Sequence, residues 1–184
     1  MKIFDHLEEM YEFLRENDWD DLEAEYRERA EKWSGKKVAD KIHSVKLKSY
    51  ANKLEDALTR AVETAESLPA KAVYFEYDID NDWKSYFYIC PEYYPENEEE
   101  EEWAGEWEER IKGPSLPAFA KIYDKNGGHG DDDSGNGVTL YLISRTVAAL
   151  GRALDDIPST SLAVCIGYHD QEPIWRLQEN EEEI

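Results

Sequence analysis

The residues able to do chemistry fall into four small groups. Asp78, Asp80 and Asp82 alternate through the string DIDND, a spacing that can gather carboxylates around a cation or pair them for acid–base work. Asp132, Ser134, Asn136 and Gly137 take the first, third, fifth and sixth places of a calcium-loop pattern. Four histidines (His6, His43, His129, His169) and two cysteines (Cys90, Cys165) are the stock of zinc ligands. Glu98, Glu99, Glu100, Glu101, Glu102 and Glu106, with Trp103 and Trp107 among them, are of the types that grip a cationic surface.

Most of these patterns have a plainer explanation. The twelfth place of the calcium pattern is Ile143, where a bidentate glutamate belongs, so Lys125–Gly137 reads as a flexible surface loop. Its glycines are not followed by Gly-Lys-Ser/Thr, and its aspartates would repel phosphate. There is no H-E-x-x-H, and two cysteines cannot by themselves make a structural zinc site. No G-x-S-x-G marks a nucleophile elbow. His43 borders an apolar stripe and His169-Asp170 sits in a turn, both ordinary placements. With 43 acidic residues, close carboxylate pairs arise by chance, and DIDND is itself turn chemistry. Neither a catalytic set, a metal nor a cofactor is expected.

The charge narrows the partners. The 184 residues carry a formal charge of −22 and a sequence pI of about 4.5, a field that repels nucleic acid and anionic membrane and attracts cationic proteins. Residues 1–70 hold 12 basic against 17 acidic residues, the remainder 9 against 26. Salt adaptation usually strips lysine, yet Lys36, Lys37, Lys41, Lys46, Lys48 and Lys53 cluster here, so the acidity is local. At 12% aromatic the chain is too rich in core formers for a disordered protein. Lys2 and Asp5 put charge where a signal peptide needs an apolar core, so none is expected in this stretch, and no apolar run reaches membrane-spanning length. A cytoplasmic protein with two buried free thiols is expected; a disulfide between neighbouring strands is the lesser reading.

The elements that must position these groups follow from periodicity. Val73, Phe75 and Tyr77 alternate with Tyr74, Glu76 and Asp78; Ser85, Phe87 and Ile89 alternate with Tyr86, Tyr88 and Cys90. Two strands joined by DIDND make a hairpin that stops near Pro91. Leu162–Tyr168 is apolar on both faces, as a central strand is, and pairs with Ile174–Leu177 in a second hairpin. Helical spacing predicts helices over residues 4–17, Asp21–Trp33 (capped by Asp18 or Asp20), Lys37–Leu68 and Val138–Asp156. The third is unusually long and is expected to kink near Ser44 or Ser49 or to pack beyond the sheet. Ala118–Tyr123 reads as a short strand. The fold class is α+β: a mainly antiparallel sheet of four or five strands, a covering helix and an N-terminal helical region. Residues 1–184 form one domain, with 1–68 helical, 71–178 the sheet-and-helix core and 179–184 an acidic tail.

Residues 92–109 hold ten glutamates and no lysine or arginine. Two readings stand. In one, a solvated charge run tucks its two tryptophans, sharing a helical face across Glu102–Arg110, into the core. In the other, the run is a binding surface in which glutamates steer a basic partner and a tryptophan anchors it.

The string AVYFEYDIDNDWKSYFYICPEY, followed by EEWAGEW, resembles uncharacterised bacterial proteins of the immunity-protein type from toxin–immunity systems. It covers residues 72–107. The resemblance implies an inhibitor that masks a cationic toxin or nuclease by direct binding, without chemistry of its own, and carries over no active-site residues. The expected partner-binding set is therefore Glu98, Glu99, Glu100, Glu101, Glu102, Trp103, Glu106 and Trp107, with Asp80, Asp82 and Trp83 at the hairpin tip. The alternatives are a small enzyme using metal or carboxylates at that tip, and an assembly protein self-associating through the long helix.

Overall fold

The computed structural model describes residues 3–14, 18–96, 102–130, 132–171 and 173–180. Its chain runs α1 (Ile3–Leu14), α2 (Trp19–Ser34), α3 (Lys36–Ser44), α4 (Lys48–Ser67), β1 (Ala72–Asp78), β2 (Lys84–Cys90), a 3-10 turn (Glu102–Gly105), β3 (Glu109–Lys112), α5 (Pro117–Asn126), α6 (Asp133–Asp156), β4 (Ala163–Tyr168) and β5 (Trp175–Gln178).

The five strands lie in the order β3-β2-β1-β4-β5. The two expected hairpins exist, with Phe75 opposite Phe87 and Ile166 opposite Trp175. They are joined by a parallel pairing of β1 with β4, Phe75 beside Ile166, so the sheet is mixed rather than uniformly antiparallel. The cause is connectivity. Between β2 and β4 the chain leaves through β3 and two helices, and a crossover of that length returns a strand parallel to β1. β4 is buried at every residue, as a strand between two others must be.

One face of the sheet carries Val73, Phe75, Tyr77, Phe87, Ile89, Val164 and Ile166, packed beneath the helices. The centre of that packing is α6, buried on nearly its whole circumference from Gly135 to Gly151. Its helical neighbours include α2, α4 and α5. A Cβ on Gly151 would overlap the Trp19 indole, whose N–H donates to Asp155 at 2.8 Å. That close approach fixes the second layer of helices against α6.

Several sequence expectations change. The third helix is two, because the chain breaks at residues 45–47, next to Ser44. Arg145 of α6 fills the break, donating to the carbonyls of Ile42 at 2.6 Å and Val45 at 3.3 Å and pairing with Glu23 at 3.1 Å. Ala118–Tyr123 is helical, not extended. Pro117 opens α5, and Phe119, Ala120 and Ile122 are buried at a spacing that fits either period in so short a run. The Gly/Asp loop is half helix. Asp132 accepts from the backbone of Ser134 and Gly135 and starts α6 five residues earlier than its apolar stripe suggests. Gly135 and Gly137 can be buried there because the first meets only Gly127–Gly128 and the second lies against Trp33 and Ser34. No described helix is long and apolar enough to cross a membrane.

Candidate functional site

Among the described residues no α-helix layers over the second face of the sheet. Part of it is closed by the chain itself: after β2, Tyr93 and later Trp103 and Ala104 lie over Ala72, Tyr74, Cys90, Ala163, Cys165 and Ile174. Tyr93 donates to Glu179, and Asn180 donates to the Lys71 carbonyl at 2.8 Å, so the start of the C-terminal acidic segment is bound to the sheet. Cys90 and Cys165 lie on opposite sides of β1, opposite Ala72 and Tyr74, which separates them by two strand spacings. Both thiols are free, and burial pushes that of Cys90 up to about 12.

Beyond this cover the face is aromatic and partly exposed. Trp107 is 43% exposed and packs on Tyr88, ring centroids 5.4 Å apart. Tyr86 adjoins Tyr88 at 6.2 Å, and the Arg110 guanidinium lies 4.7 Å from the Tyr86 ring and 5.6 Å from that of Trp107. Strand alternation supplies this set, since Tyr86 and Tyr88 point away from the buried Phe87 and Ile89. β3 pairs Arg110 with Tyr88 and Lys112 with Tyr86, placing both cations on the same face. Glu102, Glu106 and Glu108 are exposed in the chain on either side of Trp107, and Glu109, also exposed, pairs with Ile89 and so points to the other face of the sheet. Burial raises the Tyr88 hydroxyl, with Glu76 adding in the same direction and a hydrogen bond from Arg110 opposing.

Further along the face, His169 comes within 3.4 Å of Glu76. Burial lifts the Glu76 carboxyl above its ordinary range, and the histidine partly offsets that. Gly167 lets the Tyr74 hydroxyl lie against β4, where a Cβ would crowd it at 2.8 Å.

The described members of the expected partner-binding set are not brought together. Trp103 is 2% exposed and lies edge-on to Tyr74 and Tyr93, so it belongs to the core. The i, i+4 helical face imagined for the tryptophans is absent, because the turn ends at Gly105 and the chain enters β3. One indole is thus inside and one outside. Trp83 is wholly buried, stacked on Tyr77 at 5.7 Å, edge-on to Phe119, and donating to Thr146 at 3.0 Å. It has no surface for a partner. It holds a positive φ of 54°, as Asp82 does at 56°, a conformation unusual for a bulky residue and held here by the buried ring. Asp80 and Asp82 are exposed, at the opposite end of the β1–β2 hairpin from Trp107. Asp78 accepts from the Asp80 backbone at 3.1 Å, the turn role. Glu98, Glu99, Glu100 and Glu101 lie outside the described residues.

Among the described residues no group of three or more His, Cys, Asp or Glu side chains is arranged to hold a metal ion. The apolar stripe of α4 (Tyr50, Leu54, Leu58, Val62) is buried in the chain's own core. Tyr86, Tyr88 and Arg110 were not singled out from sequence, although strand alternation had already set the two tyrosines on the face away from Phe87.

Comparison of the chain with protein-family models, curated proteins and solved structures finds no match. The immunity-type resemblance therefore rests on residues 72–107 alone.

Proposed function

We propose that the chain is a non-catalytic binding protein for a basic protein partner, with immunity-type masking of a cationic toxin or nuclease as the activity this best fits. The observation that carries the reading is Trp107. A tryptophan left half-exposed against Tyr88 and Arg110, with Tyr86 beside them, has the composition of an interface hot spot. Exposed glutamates flank it in sequence on a chain of charge −22, which supplies long-range attraction for a cation-rich surface. A nuclease groove built for phosphates is one such surface, and an acidic protein can fill it in the phosphates' place.

Capture from the native cell extract tests the proposal, with the wild-type chain and a Trp107→Ala variant as parallel baits. A basic protein should be retained by the first and lost or strongly reduced with the second, while both baits melt at the same temperature. Retention of the same protein by both baits would contradict the role given to Trp107. Retention of acidic proteins would contradict the charge reading.

A further inference from the structure

Glu76 lies on the same face as Trp107 and belongs to β1, the middle strand of the sheet. Lys112, Tyr86, Glu76 and Gly167 stand in one row across β3, β2, β1 and β4, and Arg110, Tyr88, Tyr74 and Cys165 in the next. The carboxyl therefore adjoins the two half-buried tyrosines of the Trp107 cluster. On its other flank Gly167 presents no side chain.

The fold leaves this carboxylate poorly matched, as Glu23 shows by contrast. The Glu23 side chain is 19% exposed and meets two guanidiniums, Arg145 at 3.1 Å and Arg152 at 2.5 Å. The Glu76 side chain is 24% exposed, and among the described residues its one ion-pair partner is His169, at 3.4 Å. That imidazole is charged only when protonated, and its side chain is 57% exposed to water. The cations of the face are held elsewhere. Arg110 lies over the rings of Tyr86 and Trp107, and Lys84 donates to Asn81 at 2.7 Å. Lys112 stands on β3, two strand spacings or about 10 Å from β1. Burial raises the Glu76 carboxyl, Asp170 and Asp78 add to the rise, and His169 opposes it.

We infer that Glu76 is a specificity residue of the Trp107 face, accepting the charged head of a lysine or arginine presented by the basic partner. The stem of that side chain lies on Tyr86 and Tyr88, whose rings suit it and offer cation–π contact. Arg110, 4.7 Å from the Tyr86 ring, shows a guanidinium already held on this face in the same manner. A carboxylate partly withdrawn from water gains more from a cation than a solvated one does, because its surroundings screen less. An anion would be repelled by Glu76, Asp78 and Asp170. A purely apolar occupant would strip the remaining water from Glu76 with nothing in return. The inference rests on the reading of the chain as a binder of a basic protein. It deepens that reading by naming the residue that selects a cation beside the tryptophan anchor.

The test uses the full chain, labelled with carbon-13 for NMR and titrated with N-acetyl-arginine methylamide. N-acetyl-norleucine methylamide, with an apolar stem and no charge, is the control at equal ionic strength. With the arginine probe the Glu76 carboxyl should titrate at lower pH than in the probe-free chain, since a bound cation favours the ionised form. The norleucine probe should give no such fall, and the exposed Glu106 should move less than Glu76 with either. The Tyr86 and Tyr88 ring signals should shift with the arginine probe, and a Glu76→Gln variant should weaken that response severalfold. The variant's melting temperature at neutral pH should hold or rise, because a buried charge has been removed. An equal fall at Glu106 would mean diffuse attraction to an acidic chain and would overturn the inference. An equal response to norleucine, or an unchanged response in the variant, would do the same. None of these readouts alters Trp107 or needs the partner, so failure here is distinguishable from failure of the proposed function.

Discussion

The Trp107 indole packs at 5.4 Å on Tyr88 yet remains 43% exposed, whereas Trp103, four residues earlier, is sealed at 2%. Trp103→Ala should therefore cost about 3–5 kcal/mol of stability, the usual range for emptying a buried aromatic site. Trp107→Ala should change stability far less, within about 1 kcal/mol, because nearly half of its surface already meets water. Urea denaturation of the two variants checks the contrast. Equal losses would mean that Trp107 is a core residue after all.

Arg145 offers a second test. It is 7% exposed, and its guanidinium joins Glu23 to the carbonyls left by the α3–α4 break. Arg145→Met keeps the length of the stem but removes the donors. The variant should lose about 1–3 kcal/mol, because the Val45 carbonyl loses this donor, while Glu23 keeps only Arg152 and the Ile42 carbonyl only the Val45 N–H. The loss should show in the denaturation midpoint, with hydrogen exchange accelerated at residues 45–50. A neutral substitution would mean that the break does not depend on this contact.

Glu76 gives a pH dependence. Burial raises its carboxyl above the ordinary value of 4.5, with Asp170 and Asp78 adding and His169 opposing. Such a group contributes stability below its unfolded pKa and loses it as pH rises through the folded value. Glu76→Gln should then raise the midpoint at neutral pH, and the gain should vanish at pH values below 4.5. A midpoint that falls at neutral pH would show that the contact with His169 outweighs the cost of burial.

Legibility followed the strength of the local pattern. The alternation through Val73–Tyr77 and Ser85–Ile89 specifies the hairpin and the face it buries, and LAVCIGY specifies an interior strand. The parallel pairing of β1 with β4 is a property of the crossover, which no short window records. β3 was hidden because only Ile111 of its four residues turns toward the core, and an edge strand bearing Glu109, Arg110 and Lys112 has no hydrophobic run. The early start of α6 was hidden for a different reason. Gly135 and Gly137 are poor helix formers, tolerated because neighbouring backbone and Trp33 come close and Asp132 caps the end. At the site, composition pointed to tryptophans and acids but could not say which indole was inside. That depended on where the chain turned at Gly105. Trp83 misled for the same reason, since a tryptophan beside a turn of exposed acids gives no local sign that its ring reaches Thr146.

The most direct measurement is the association rate of the captured partner as a function of salt, for the wild type and a variant carrying Gln at 102, 106, 108 and 109. These glutamates are exposed, so the fold should be unchanged. If they steer a basic surface, the variant will associate more slowly at low salt, its rate will depend less steeply on ionic strength, and its dissociation rate will barely move. Association at the wild-type rate in low salt would contradict electrostatic steering by these glutamates.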